Sequence, residues 1–119
     1  MGIRGDVVIV LVTGGRGYAD VLTVERVLRN LAPGLVLHGG ARGADTIADH
    51  WASRNGVHTA EVCALWDFHG KAAGPKRNAV LVELAKRLGA EVVAFPGGAG
   101  TADCVRRARE AGLVIHEVT

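Results

Sequence analysis

The sequence predicts an α/β protein with a Rossmann-like, three-layer α/β/α architecture and a five-stranded parallel sheet, in the expected strand order 3-2-1-4-5. Three observations predict it. Strand-like and helical segments alternate along all 119 residues. The strands are nearly continuous apolar runs, as is typical of strands buried on both faces of a parallel sheet. Many of the 17 glycines fall into three clusters, each directly after a strand-like segment.

The first half of the chain supplies two strands and two helices. The first strand covers residues 6–13, Asp-Val-Val-Ile-Val-Leu-Val-Thr, and the second covers residues 35–38. Between them, Asp20 is placed to cap a helix that ends at Pro33-Gly34. The second helix begins at Ala44 and stops near Asn55-Gly56. Apolar residues at helical spacing predict both helices: Val21, Val24, Leu28 and Leu31 in the first, and Ala44, Ile47, Ala48, Trp51 and Ala52 in the second.

The second half supplies three strands and two helices. Strands are expected at residues 59–64, 91–95 and 114–118, and a long loop at residues 65–74. The third helix begins at Pro75, which suits a first helical turn, and ends at Leu88 before Gly89. The fourth helix is expected to be capped by Thr101 and to end at Ala111. This order makes residues 1–119 one domain.

Composition excludes several classes of protein. The net charge is +2, from 14 basic and 12 acidic residues, which does not favour a nucleic-acid or membrane-surface partner. No signal peptide or membrane-spanning run is present, so the sequence predicts a cytoplasmic protein. Cys63 and Cys104 stand apart without a metal-binding spacing, which predicts reduced, mostly buried thiols and no metal site.

The glycine turns predict a binding site. In an open α/β sheet, ligands bind beyond the carboxyl ends of the strands, where the strand order reverses. The turns after strands one and four, residues 14–20 and 96–101, are expected to face one another there. Pro96-Gly97-Gly98-Ala99-Gly100-Thr101 has the parts of a phosphate site, because glycine lets backbone amides approach an anion and a helix N-terminus supplies unpaired N–H groups.

Known phosphate and nucleophile motifs do not match. The chain has no P-loop and no G-x-S-x-G turn. Asp20 stands where a dinucleotide fingerprint has its third glycine, and the second strand ends in His38 instead of an acidic residue. Ordinary NAD-dependent dehydrogenase chemistry is therefore not expected. No cofactor is required, and a phosphate or a similar oxyanion is the expected occupant of the glycine-rich edge.

Charged and aromatic residues near this edge have two interpretations each. Asp20 and Asp45 precede helices, where they either cap the helix or hold ribose hydroxyls. Arg77 opens a helix, where a cation opposes the helix dipole, and this favours a ligand contact. Tyr18 is the better candidate for a ligand wall, whereas Trp66 and Phe68 either stack on a base or pack over the sheet edge. His38 at the end of a strand is either a base or hydrogen-bond donor to a ligand or, as is more common for a lone histidine, structural.

Four segments together resemble the YspA-like group of the SLOG superfamily. They are residues 14–20 (GGRGYAD), residues 38–45 (HGGARGAD) with Ala48 and Trp51, residues 73–78 (AGPKRN) and residues 95–102 (FPGGAGTA). The resemblance spans nearly the whole chain. It implies a Rossmann-like fold that binds a nucleotide or a nucleotide-derived ligand along the glycine-rich edge.

Enzymes of the same superfamily, the LOG-type phosphoribohydrolases, cleave the N-glycosidic bond of nucleoside 5′-monophosphates and carry P-G-G-x-G-T-x-x-E. The resemblance matches Arg77 to their arginine, but the glutamate position is Cys104, and Asp103 lies one residue earlier. Successive side chains on a helix are rotated by about 100° from one another. The side chain of Asp103 therefore has a different direction from that of the glutamate. If the protein is an enzyme, Arg77 and Asp45 are its candidate catalytic residues.

The sequence therefore predicts a nucleotide-binding or sugar-phosphate-binding protein that acts as a sensor or effector-coupled module. The alternatives are a nucleoside-monophosphate N-glycosidase or deoxyribosyltransferase and, ranked last, DprA-like binding of single-stranded DNA. A homo-oligomer is expected, with helix faces such as that around Trp51 as its contact. The predicted ligand-binding residues are Gly14, Gly15, Arg16, Tyr18, Asp20, Gly39, Gly40, Asp45, Arg77, Asn78, Pro96, Gly97, Gly98, Gly100 and Thr101.

Overall fold

Five parallel strands form one sheet in the order β3-β2-β1-β4-β5 in the computed structural model, which describes residues 7–119. This confirms the predicted fold class and strand order. The first predicted strand residue, Asp6, lies outside the described residues. The strands are β1 (Ile9–Thr13), β2 (Leu35–His38), β3 (His58–Glu61), β4 (Glu91–Ala94) and β5 (Ile115–Glu117).

Helices cover both faces of the sheet, which gives the predicted three layers. They are α1 (Val21–Leu31), α2 (Ala44–Arg54), the short α3 (Trp66–His69), α4 (Ala73–Leu88) and α5 (Ala99–Glu110). Val10 and Val12 of β1 pack with α1 and α2, whereas Leu11 between them packs with α4 and α5. All three are at most 1% exposed. Burying each such side chain stabilises the fold by about 1.5–3 kcal/mol, so β1 anchors both halves of the core.

The segment after β3 differs from the prediction. Residues 65–74 were expected to form a loop, but they contain α3 and a 3₁₀ turn, Gly70–Ala72, that leads directly into α4. For that reason α4 begins at Ala73, two residues before Pro75. A single helical turn is too short to show a helical repeat of apolar residues, so the sequence pattern does not reveal it.

The start of α5 also corrects a prediction. The helix begins at Ala99 after Gly98, and Gly98 provides no side-chain cap. Thr101 therefore lies in the first turn of the helix and is not its cap. The helix starts early because the glycines before it carry no side chain that would oppose the tight turn from β4.

The structure gives the exposure of three further side chains about which the sequence made predictions. Cys104 is buried as predicted, but Cys63 is exposed, so the prediction of two mostly buried thiols is wrong for Cys63. Trp51 is 4% exposed within one chain and is therefore not available as a subunit contact. The homo-oligomer itself stays a prediction.

Within residues 7–119, no helix combines the length and the apolar character needed to cross a membrane.

Asp20 caps α1, as one of its two interpretations predicts. Its carboxylate accepts hydrogen bonds from Thr23 N (3.1 Å) and Thr23 Oγ1 (2.7 Å). We expect Asp20→Ala to lower the midpoint of thermal unfolding by about 3–6 °C, because the first turn loses its acceptor. Asp20→Asn should stay near the parent protein, since Asn caps helices as well as Asp does. Equal losses for both variants would show that the cap is not the cause.

Candidate functional site

The three glycine turns, residues 14–20, 39–43 and 96–101, meet at the carboxyl edge of the sheet, as predicted. Gly15 N donates to the carbonyl oxygen of Pro96 at 2.9 Å, which joins the turns after β1 and β4. The carbonyl oxygen of Gly15 accepts from Ala44 N at 3.4 Å, which joins the turn after β1 to the start of α2. Arg77 of α4 then closes the arrangement, because its Nη1 donates to the carbonyl oxygen of Gly39 at 2.8 Å.

At two positions in these turns, Gly43 and Gly97, a side chain would collide with neighbouring backbone. Gly43 has a φ of 81° and a ψ of −128°, a backbone conformation that side chains disfavour. A Cβ at Gly43 would also collide with the carbonyl oxygen of Gly15. A Cβ at Gly97 would lie 2.6 Å from Gly15 N and would collide with Thr101 Oγ1. The turns are therefore packed backbone against backbone.

A cavity of about 540 Å³ opens between the turns and the starts of α4 and α5. Its lining includes ten of the fifteen predicted ligand-binding residues: Gly14, Gly15, Arg16, Gly39, Asp45, Arg77, Asn78, Gly98, Gly100 and Thr101. Sequence positions that are more than 80 residues apart thus lie around one space. That volume is in the range of small-molecule sites in proteins, roughly 300–1,000 Å³.

The other five predicted residues do not line this cavity. The ring of Tyr18 packs against Phe95, with 5.4 Å between the ring centroids, so it serves the core and is not a wall of the cavity. Asp20 caps α1. Gly40, Pro96 and Gly97 shape the turns behind the lining; Gly40 N, for example, donates to His38 Nδ1 at 3.0 Å. Gly40, Pro96 and Gly97 therefore contribute to the backbone geometry of the turns.

One end of the cavity contains several groups that favour negative charge. Ala102 N donates to the carbonyl oxygen of Gly98 at 3.0 Å, so the three amides before it have no acceptor within the helix. Among the described residues 7–119, no side chain caps this helix start, and no acidic residue lies in its first turn. Arg16 and Arg77 line the same cavity. Helix-terminal N–H groups, the helix dipole and two guanidinium groups all favour negative charge here.

The cavity lining also includes a buried carboxylate, Asp45. The residue is 5% exposed, and its Oδ2 accepts from Gly39 N (3.0 Å) and Ala41 N (3.4 Å). Asp45 therefore does not cap α2, whose preceding residue is Gly43. Within residues 7–119, Oδ1 of Asp45 has no hydrogen-bond partner, and the residue lines the cavity. Because this oxygen is left without a protein donor at the cavity, a ligand donor that binds it would add a hydrogen bond to the complex.

Burial raises the pKa of Asp45, although hydrogen bonds from Gly39 and Ala41 and the charge of Arg77 act in the opposite direction. Since the folded-state pKa exceeds the unfolded value of 3.8, Asp45 favours folding most below that value, and its contribution is lost as the pH rises through the folded-state pKa. Asp45→Asn removes the buried charge and retains an acceptor for the two amides.

We expect the free energy of unfolding of Asp45→Asn, measured with urea, to be at least that of the parent at pH 7. Its advantage should shrink as the pH falls toward about 4. Asp67→Asn, on the exposed surface of α3, is the control and should show no such trend. A variant that is less stable than the parent at pH 7 would mean that the Asp45 charge stabilises the fold.

His38 is structural, as predicted. It is 2% exposed, its Nδ1 accepts from Gly40 N, and its Nε2 lies 2.9 Å from Asp49 Oδ1. An accepting Nδ1 places the proton of the neutral ring on Nε2, which then donates to Asp49. Both ring nitrogens are therefore hydrogen-bonded, Nδ1 to the glycine turn after β2 and Nε2 to α2.

The residues near the LOG glutamate position are engaged elsewhere. Asp103 accepts from Asn78 Nδ2 (3.0 Å), Arg107 Nε (2.9 Å) and Arg106 Nη2 (2.9 Å). Burial alone would raise the pKa of Asp103, but these hydrogen bonds outweigh it and hold the pKa below its usual value. Cys104 is fully buried against the sheet, and burial raises its pKa to about 11. It is therefore a protonated thiol in the core.

The structure adds lining residues that the list of predicted ligand-binding residues lacks. Trp66 is the largest of them, and its indole ring lies 5.5 Å from the guanidinium carbon of Arg16. The sequence predicts that Trp66 either stacks on a base or packs over the sheet edge. The structure places it in the cavity lining. The other additions are Val12, Thr13, Ala41, Gly74, Pro75, Leu81, Ala99 and Asp103. Among residues 7–119, no three His, Cys, Asp or Glu side chains cluster to hold a metal ion.

Two solved structures share this fold. The X-ray structure of TM1055, a structural genomics target, aligns over 91% of this chain and 72% of that one, with a TM-score of 0.69 and 20% identity. DNA processing protein A (DprA) from Streptococcus pneumoniae aligns over 92% of this chain and 58% of that one, with a TM-score of 0.51 and 21% identity. At such low identity, these likenesses establish the fold alone.

Sequence similarity is more specific. The Gene 61 protein of Mycobacterium phage D29 is 43% identical over an alignment that covers 89% of this chain and 92% of the phage protein. A family model described as YspA, cpYpsA-related SLOG family matches residues 8–69, a range that includes the first two glycine turns, His38 and Asp45. With the fold, the glycine turns and these matches together, the chain belongs to the YspA, cpYpsA-related SLOG family.

Proposed function

We propose that this protein binds a nucleotide or a related sugar-phosphate in the cavity at the carboxyl edge of the sheet, as a sensor or effector-coupled module. One observation carries the proposal: the uncapped start of α5 lies in the same cavity as Arg16 and Arg77. An anion in that position would satisfy amides that otherwise lack an acceptor. Membership of a SLOG family supports a nucleotide-related ligand.

The sugar of such a ligand has a matching partner in Asp45. Its unpaired Oδ1 is an acceptor, and ribose hydroxyls are donors. Acidic residues at the edge of Rossmann-type sheets hold ribose in this way. A ligand that carries both an anionic group and hydroxyl groups matches a lining that offers guanidinium groups and a carboxylate.

The arrangement of carboxylates favours binding over cleavage. N-glycosidic hydrolysis needs a carboxylate that stabilises an oxocarbenium-like centre or activates water. Asp103 is held by three hydrogen-bond donors, and Cys104 is buried. Asp45 is the remaining carboxylate in the lining, and its Oδ2 is occupied by two backbone amides. Hydrolysis of the N-glycosidic bond is therefore the second candidate function, and the assay below detects it.

Isothermal titration calorimetry with the whole protein tests the proposal. The panel contains nucleoside 5′-monophosphates, cyclic nucleotides, ADP-ribose and, as the phosphate-free control, adenosine. We expect a phosphate-bearing compound to bind and adenosine to bind more weakly. Absence of binding by the folded protein at millimolar concentrations would refute the proposal. Chromatography of the same samples detects free base, whose release would favour the N-glycosidase instead.

A further inference from the structure

We propose that the ligand carries a planar nitrogenous base, and that Trp66 is the surface on which this base stacks. This inference rests on the proposed function and narrows it, because the cavity at the glycine turns admits a bare sugar-phosphate as well as a nucleotide. Trp66 is the aromatic side chain of the cavity lining. Its position, exposure and contacts each support the role.

Trp66 is held at the cavity while much of its ring stays accessible. It begins α3, and one edge of its indole packs on Gly74 of α4, where a Cβ would lie 3.2 Å from Cη2. The side chain is nevertheless 46% exposed. A large aromatic surface left half exposed at a cavity is unusual for a residue that only packs, since full burial would contribute more to stability.

Arg16 covers part of the ring and is free to leave it. Its guanidinium carbon lies 5.5 Å from the ring centroid, a separation at which cation–π attraction contributes only about 0.5–1 kcal/mol at an exposed site. Within residues 7–119, Arg16 makes no hydrogen bond or ion pair. When a phosphate occupies the start of α5, Arg16 gains a stronger partner there. Its departure exposes the indole face to the base.

Phe68 provides a contrast on the same short helix. It is 81% exposed and contacts His69 edge-on, with 4.8 Å between the ring centroids, and it does not line the cavity. Trp66 and Phe68 lie two residues apart on the same short helix, but Trp66 lines the cavity and Phe68 does not. Phe68→Ala is therefore a matched control for Trp66→Ala.

Calorimetry with two probes separates the base from the sugar-phosphate. We expect adenosine 5′-monophosphate to bind about 5- to 100-fold more tightly than ribose 5-phosphate, the effect typical of stacking one base on an aromatic side chain. Trp66→Ala should reduce the affinity for adenosine 5′-monophosphate to that for ribose 5-phosphate and leave the latter unchanged. Trp66→Phe should retain most of the difference, and Phe68→Ala all of it.

Fluorescence provides a direct readout of the contact. The chain has two tryptophans, and Trp51 is buried with an Nε1 that has no hydrogen-bond partner among residues 7–119, so Trp51→Phe removes no hydrogen bond seen there. In that variant Trp66 is the sole tryptophan. We expect adenosine 5′-monophosphate to quench its emission and ribose 5-phosphate to change it little.

Three results would overturn the inference. Equal affinities for the two probes would show that the base is not recognised. A Trp66→Ala variant that weakens both probes equally would assign the side chain a structural role. In either case the proposed function stands, because the phosphate-bearing probes still bind. If neither probe nor any other phosphate-bearing compound binds the folded protein, the proposed function fails and this inference fails with it.

Discussion

Replacing Gly43 by alanine should lower the free energy of unfolding by about 2–4 kcal/mol. Two costs combine at this position. The backbone, with φ of 81° and ψ of −128°, is strained for any residue with a Cβ, and that Cβ would collide with the carbonyl oxygen of Gly15. Relieving the collision moves the turn after β1 away from α2, so the cavity should lose its shape as well. Urea unfolding followed by circular dichroism measures the effect.

Two other glycines separate these costs. Gly56 also has a positive φ, of 68°, but a Cβ there would meet no atom of residues 7–119 within 4 Å. Gly17 has neither constraint. We expect Gly56→Ala to cost about 1 kcal/mol and Gly17→Ala to be nearly neutral. If Gly43→Ala costs no more than Gly56→Ala, the contact between the two turns does not restrict this position.

Replacing Arg77 by alanine should weaken nucleotide binding by about 10- to 100-fold, the loss expected for one charge-assisted hydrogen bond to a phosphate. The guanidinium is already placed for this role, because Nη1 donates to Gly39 O and Nε donates to Asn78 Oδ1 at 3.0 Å. Calorimetry with the nucleotide that binds best in the panel measures the change. Circular dichroism establishes that the variant is folded.

Lys76 is the matched control for Arg77. It is the preceding residue of α4, carries the same charge and is exposed, and it does not line the cavity. Lys76→Ala should therefore change the affinity less than threefold, which is about 0.6 kcal/mol. Arg77→Lys should be intermediate, since lysine keeps the charge and loses the fork of donors. Similar losses for Lys76→Ala and Arg77→Ala would mean that net charge, and not a placed contact, attracts the ligand.

The fold was largely predictable because its signals are local. The β-branched run ending at Thr13 and the apolar stripe of α1 each report burial through the side-chain spacing. The ends of elements were less predictable. Thr101 has a side chain suited to capping, but the backbone already turns at Gly98, so the helix starts before it. The short α3 has no repeat that a sequence pattern could reveal.

The candidate site was predictable where backbone geometry requires a particular residue, as in the glycine turns. It was less predictable for side chains whose partners are distant in sequence. The packing of Tyr18 against Phe95 and the binding of Asp103 by Arg107 and Asn78 depend on how helices and strands come together. Asp45 was identified, but its hydrogen bonds to Gly39 and Ala41 follow from the turn and not from a cap.

Amide chemical shifts test the central claim most directly, because the proposed anion site consists of backbone N–H groups. In a titration of the ¹⁵N-labelled protein with adenosine 5′-monophosphate, we expect the largest changes at Gly98, Ala99, Gly100 and Thr101, with smaller changes at Gly15 and Gly39. Inorganic phosphate alone should shift the first group at higher concentration. Changes confined to the outer face of α4, such as Val80 and Leu84, or no changes at all, would contradict the account.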